Sequence, residues 1–275
     1  MHVTIFILCY NEMVLIPHTI QHYRRYLPNA EIVILDNEST DNSAEIAKSL
    51  GCKIISWKSP SHNGIDDHYY IQLKNNVWKS VESGWILVCD MDEWLCVSEE
   101  QLQNELQNGT SILKVIGLNM IGDSQNKMLS DIEPQDIHRY IYHPYENKSI
   151  CFLKDKIDEM NYSIGAHCCN PEGDVKHSSR TYINKHMEFL GEPFYINKYV
   201  ERAARVKEQR KRFPNMGMHY TDDIGCLQYC FREYASKAST MTDESKINMT
   251  DFDPMVIMRQ YKEQQRAANA KLIHS

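Results

Sequence analysis

The sequence lacks several features that would each name a class of protein. No run approaches the roughly 18 apolar residues that span a bilayer, and the apolar stretch from His2 to Cys9 has neither a basic leader nor a small-residue cleavage site. That stretch reads as a strand that begins almost at once, and the chain is expected to work in the cytoplasm, a host cell's if the source is viral. No Gly-x-Gly-x-x-Gly turn occurs, which argues against a dinucleotide-dependent oxidoreductase. No glycine-rich, arginine-containing loop follows the first apolar run, as cradling a triphosphate would require. No cysteine pair has zinc-ligand spacing among the nine cysteines. Cys9 and Cys89 fall inside apolar runs, so free buried thiols in a reducing compartment are the simplest account. There is no internal repeat. Excess positive charge is also missing: the net charge is -7, which argues against non-specific binding to nucleic acid or an anionic membrane. Arg202, Arg205, Lys207, Arg210, Lys211 and Arg212 form a local exception, read as a solvated helix face or a basic strip toward phosphate.

What is present is an alternation of strand and helix patterns over about the first 120 residues. Val3–Cys9, Ile32–Leu35, Lys53–Trp57 and Trp85–Cys89 are short, strand-like runs. Between them Ile16, Ile20, Tyr23 and Leu27 recur at helical spacing before Pro28. A second helix carries a capping box of Asn42 and Glu45 and ends at Gly51. Tyr70, Leu73, Val77 and Val81 mark a third. Strands apolar on both faces and joined by helices predict a doubly wound parallel sheet. Ligands bind such sheets beyond the carboxyl ends of the strands. Tyr10-Asn11-Glu12, Asp36-Asn37 and Asp90-Met91-Asp92 all sit there. The Asn37-Glu38-Ser39 sequon lies in one of these clusters and is taken as chance. Ile112–Leu118 reads as a further strand, residues 123–150 as a long loop, and residues 185–213 and 254–272 as helices.

The Asp90-Met91-Asp92 cluster carries the chemistry. On an extended chain alternate side chains share a face, so both carboxylates are expected to face one ion while Met91 turns inward. Hard oxygen ligands suit Mg²⁺ or Mn²⁺, whose remaining ligands are commonly substrate phosphates. A second Asp-x-Asp, Asp251-Phe252-Asp253, precedes Pro254 and reads as a helix cap instead. Asp41 also reads as a cap, and Trp94 as a packing residue.

Cys9-Tyr10-Asn11-Glu12, then Val33-Ile34-Leu35-Asp36-Asn37-Glu38-Ser39-Thr40-Asp41, then Cys89-Asp90-Met91-Asp92-Glu93-Trp94 resemble, in that order, the motif set of family 2-like glycosyltransferases. The aromatic residue after Asp-x-Asp-Glu also resembles the family 92-like group. The match covers about the first 100 residues and continues faintly to Gly165-Ala166-His167. The resemblance implies a GT-A α/β fold, a Rossmann-like nucleotide-binding sheet with flanking helices, followed by a C-terminal helical segment. Residues 1–215 would form the GT-A domain, with a donor-binding half to 118 and an acceptor half after it, and residues 216–275 the helical segment. It implies a metal-dependent transfer of sugar from a nucleoside-diphosphate sugar, UDP-linked, to a glycan or other hydroxyl acceptor, with inversion. Asp36 would hold the base, with Asn11 and Glu12 supporting base or ribose and Tyr10, Lys74 and Met91 lining the donor site. Asp90 would lie near ribose and metal, Asp92 on the metal, and His167 as a further metal or phosphate ligand. Inversion needs a carboxylate to take the acceptor's proton. Asp123 is the first candidate, with Asp158, Glu172 and Asp174 open, because no Glu-Asp pair occurs where the family pattern places one. A haloacid-dehalogenase-like phosphatase and an inactive sugar-binding module remain alternatives.

Overall fold

The computed structural model describes residues 1–59, 64–122, 133–243, 246–250 and 254–273. In chain order the elements are β1 (Val3–Cys9), α1 (Ile16–Tyr26), β2 (Glu31–Asp36), α2 (Ser43–Ser49), β3 (Lys53–Ser56), α3 (Asp67–Asn76), β4 (Trp85–Asp90), β5 (Glu93–Cys96), α4 (Glu99–Gln107) and β6 (Ile112–Ile121). There follow β7 (Arg139–Tyr142), β8 (Cys151–Leu153), β9 (Ile157–Glu159), β10 (Glu172–Gly173), β11 (His177–Phe189), α5 (Glu192–Arg205), α6 (Lys207–Arg212), α7 (Ile224–Lys237), β12 (Ser239–Thr240) and α8 (Pro254–Ile273). Two compact units result, Met1–Leu118 with Pro144–Met187, and Asn119–His143 with Glu188–Ser275. They interleave along the chain.

The first unit is built on a mostly parallel sheet in the order β3-β2-β1-β4, with β8 antiparallel on the outer side of β4. β1, β2 and β4 are buried on both faces, as their unbroken apolar runs require, while the edge strand β3 is largely exposed. Phe6, Leu8, Val33, Leu35, Ile86 and Val88 project to one face, where they pack with Trp78 and Phe152 and against Tyr70 and Leu73 of α3. Burying each large side chain stabilises the fold by about 1.5–3 kcal/mol. Tyr23 of α1 reaches the opposite face, 3.4 Å from the Cys89 thiol. Helices therefore flank a central parallel sheet, as the alternating pattern predicts. The register brings the strand ends level: Cys9 lies opposite Asp36, and Leu8 opposite Asp90.

The second unit gathers Phe189, Tyr195, Tyr199, Phe231 and Tyr234 into an aromatic core with Ile257 and Met258 of α8. Among the described residues no helix is long and apolar enough to cross a membrane.

Three local readings need correction. The helix expected from residue 185 begins at Glu192, because β11 runs on to Phe189. The loop expected over residues 123–150 contains β7, and residues 123–132 lie outside the described residues. Asn42 is the N-cap of α2 but makes no side-chain cap bond. Asp41 takes the task, its Oδ1 accepting from Ser43 N at 2.9 Å and Ser43 Oγ at 2.5 Å.

Candidate active site

Three loops leave the carboxyl ends of β1, β2 and β4 at one sheet edge, and each is held differently. The first two are laced together. Asn11 adopts φ 54°, a left-handed conformation that asparagine tolerates better than most residues. Its amide N–H donates to Ser39 Oγ at 3.0 Å, and its side-chain oxygen accepts from Thr40 N at 2.8 Å. Glu12 N donates to Ser43 Oγ at 2.8 Å, and Met13 N to Asp41 Oδ2 at 3.2 Å. Asn11, read from sequence as a ligand contact, thus spends its side chain on the neighbouring loop.

Asp36 ends β2 and is buried, with Ser39 N 3.3 Å from both carboxylate oxygens. Beside it Asn37 Oδ1 accepts from Ser59 N at 2.9 Å. Trp57 stacks on Tyr69, with ring centroids 5.5 Å apart, and meets Tyr70 edge-on. The sequence reading passed over this aromatic group, although Trp57 and Tyr69-Tyr70 flank the loop that follows β3.

The third loop is the turn from Asp90 to Glu93. The expected alternation of side chains stops at Asp90, because β4 ends there and Met91-Asp92 form a turn before β5. Met91 is buried, as expected, but so is Asp92. The two carboxylates have different partners. Both oxygens of Asp90 face the ammonium of the buried Lys74, at 2.9 and 3.0 Å. Asp92 Oδ2 lies 3.7 Å from His186 Nε2. Burial would raise the Asp90 pKa, but the charges of Lys74 and Lys148 outweigh it and hold the carboxyl below its usual range. Burial would likewise depress Lys74, but Asp90 and Glu93 raise it.

The turn's backbone is pinned on both sides. From α1, Thr19 Oγ1 donates to Met91 O at 2.8 Å while accepting from Trp94 Nε1 at 2.9 Å. Tyr23 Oη donates to Glu93 O at 2.7 Å, and His22 Nε2 lies 3.0 Å from Leu95 O. The His22 ring stacks on Trp94, so Trp94 is a packing residue, as read. Burial pushes His22 down to about 4. From the other side Glu93, wholly buried, accepts the Asp90 N–H at 2.8 Å through one oxygen and contacts Lys148 Nζ at 2.6 Å through the other. Lys148 also lies 3.0 Å from Glu146.

His167 follows Gly165-Ala166 in a short 3-10 turn, with its Nδ1 2.6 Å from Tyr145 O. A Cβ on Gly165 would meet the His167 ring at 2.5 Å, and φ there is +74°, so glycine is required. Burial, then the charge on Lys148, lowers the His167 pKa. Asp123 lies outside the described residues. Asp158, Glu172 and Asp174 belong to the exposed β9–β10 hairpin and its end, where Lys156 pairs with Asp174. His186 and Lys148 were both missed. Asn184 and His186, polar and buried at alternate positions of β11, were the available signal for the former.

Among the described residues no group of three or more His, Cys, Asp or Glu is placed to hold a metal ion, so Asp90, Asp92 and His167 do not assemble as a ready three-ligand set. Two carboxylates on one turn, one of them part-exposed, still match the way Mg²⁺ is held, by one or two carboxylates with phosphates completing the shell.

A mostly parallel sheet with helices on its faces and acidic loops at one edge is an α/β arrangement of the doubly wound kind, whose ligands bind beyond the carboxyl ends of the strands. Residues 4–103 match the family model described as Glycosyl transferase family 2. Over that stretch the chain is similar to family 2 glycosyltransferases. It is 30% identical over 198 residues to an uncharacterized glycosyltransferase of Rickettsia typhi, covering 71% of this chain and 58% of the relative. Protein RfbJ of Shigella flexneri is 34% identical over 55 residues, 20% of this chain and 43% of the relative. The chain therefore spans less than two thirds of the curated relatives it matches. Among solved structures it is similar to S. aureus TarS, with 13% identity, 86% of this chain and 44% of that chain covered, and a TM-score of 0.43.

Proposed function

We propose that the chain transfers a hexose-like sugar from a nucleoside-diphosphate donor, UDP-linked, to a hydroxyl of a glycan acceptor, with inversion. The observation that carries this reading is the level alignment of Asp36 and Asp90 on strands flanking β1, with a buried lysine against Asp90. Asp36, at a strand end, accepts the imide N–H of uracil, and the aromatic group of Trp57 and Tyr70 lies beside Asn37 on the same side. Tyr10, Glu12 and Met91 line or support the donor site, and Asn11 supports it through the loop it ties down. Lys74 brings positive charge to where the diphosphate leaves. Asp90 and Asp92 are the residues that would hold Mn²⁺ or Mg²⁺, and His167, with Nδ1 engaged, has Nε2 for phosphate or metal. A bound divalent ion supplies charge neutralisation for the leaving diphosphate. In the displacement the acceptor oxygen forms a bond to the anomeric carbon as that carbon's bond to the phosphate oxygen breaks. A carboxylate takes the acceptor's proton, with Asp123 the candidate from sequence.

The test is a panel of nucleotide sugars with and without Mn²⁺, read by thermal shift and by release of nucleotide. One donor is expected to raise the melting temperature and to be turned over. Asp92→Ala is expected to lower turnover by about three orders of magnitude, roughly 4 kcal/mol of barrier, with the melting temperature held. Asp36→Ala is expected mainly to weaken donor binding. No response to any donor, or full turnover in Asp92→Ala, overturns the reading.

A further inference from the structure

We infer that Lys148 is a positioning residue for the donor site, acting through Glu93 on the backbone of Asp90; this rests on the function proposed above. Lys148 lies 58 residues beyond Asp90, outside the motifs, on the segment before β8. Its ammonium is 2.6 Å from Glu93 Oε1 and 3.0 Å from Glu146 Oε2, and the side chains of all three are less than a tenth exposed. The second oxygen of Glu93 accepts the Asp90 N–H at 2.8 Å. Lys148 therefore fixes the rotamer of the carboxylate that holds the first residue of the Asp-x-Asp turn.

Stability alone is a poor reason for this cluster. Burying two carboxylates and an ammonium costs several kcal/mol per ion, which their attraction repays only in good geometry, and apolar replacements of such groups are often neutral or better. The segment that delivers it is also closely fitted. A Cβ on Gly117 would stand 2.2 Å from Glu146 Cβ and 2.3 Å from its carbonyl oxygen, and Gly117 N donates to Asn147 Oδ1 at 2.8 Å. A glycine in β6 thus lets this segment lie against the strand, with Glu146, Asn147 and Lys148 in place. The bonds from Thr19 and Tyr23 hold carbonyls of the turn, whereas Glu93 holds an N–H. The two anchors are complementary: the turn can rotate away from the donor if the Glu93 side is lost. Supporting groups of this kind typically change affinity or activity by about 10–100-fold when removed.

The experiment measures the dissociation constant of UDP, GDP, ADP and TDP with Mn²⁺ by calorimetry, alongside thermal melting. Two variants remove the lysine with one of its carboxylates, so that net charge is kept: Glu146→Gln/Lys148→Met and Glu93→Gln/Lys148→Met. Each is expected to bind the nucleotide about tenfold more weakly while still melting cooperatively. Lys148→Arg, able to bridge the same two carboxylates, is expected to recover most of that loss. The exposed pair of Lys79 and Glu159, 2.5 Å apart, is the control. Lys79→Met/Glu159→Gln should bind as the wild type does. Wild-type affinity in a folded charge-balanced variant, equal weakening in the control, or failure of both charge-balanced variants to fold overturns the inference. Wild-type protein that binds none of the four nucleotides overturns the proposed function and this inference with it. Binding by wild type with no loss in the variants overturns the inference alone.

Discussion

The two halves of the candidate donor site are held by opposite means. The loops after β1 and β2 are tied by neutral or singly charged hydrogen bonds among Asn11, Ser39, Thr40, Asp41 and Ser43, most of them part-exposed. The turn after β4 is held by buried charge, Lys74 on Asp90 and Lys148 between Glu93 and Glu146. Hydrogen bonds of the first kind are worth about 0.5–1.5 kcal/mol each, so these loops are the more compliant half. Losing one member of a buried ionic set costs far more, because it strands an uncompensated charge. On the function proposed above, rigidity falls where fixed charge would meet the diphosphate, and compliance where the base would be received.

Single substitutions can break this contrast, and the largest effect on stability is expected at Lys148. Lys148→Met leaves Glu93 and Glu146 buried without their shared cation and should cost about 3–5 kcal/mol of unfolding free energy. Urea denaturation against the wild type measures it, and a loss below about 1 kcal/mol would show that the turn is not held by charge. Next comes His22, buried beneath the same turn and depressed to about 4 from 6.5. Its folded-state pKa is the lower one, so the unfolded chain binds the extra proton between those values. Stability from this residue is complete above pH 6.5 and is lost as pH falls toward 4, on the order of 3 kcal/mol. Melting curves of wild type and His22→Asn across that window should converge at low pH; parallel curves would remove the assignment. The smallest effect is expected at Asn11. Asn11→Ala gives up the bond to Thr40 and strains φ 54°, for about 1–2 kcal/mol. Asn11→Gly relieves the strain alone and should recover part of it. Equal losses in both would mean that the backbone conformation contributes nothing.

Much of the first half was legible in the sequence. β1, β2 and β4 are apolar on both faces and end at polar residues, so their ends could be placed to within a residue, and with them Asp36 and Asp90. The second half was legible only in part. Asp90 and Asp92 stood out as a motif, but the break in alternation at Met91 depends on where β4 stops. Lys148 joins Glu93 across 55 residues, and no local pattern announces a lysine that is buried because two carboxylates surround it. β11 was misread near residue 185 because Asn184, Lys185, His186 and Glu188 dilute its apolar alternation with polar side chains, of which tertiary contacts bury Asn184, His186 and Glu188. Asn42 and Glu45 had capping-box spacing, yet Asp41 was one residue better placed for Ser43.

The distribution of thiols has a practical consequence. Cys9 stands next to the laced loops, where burial and the nearby Glu12 and Asp36 push its pKa up to about 12, so it stays protonated and inert. Cys52, Cys89, Cys96, Cys151, Cys226 and Cys230 are buried too, and Cys169 is half-covered, which leaves Cys168 as the exposed sulfur, one residue from His167. A maleimide dye would therefore find a native attachment point beside the candidate site, and the nucleotide binding proposed above could be titrated by fluorescence without engineering a cysteine.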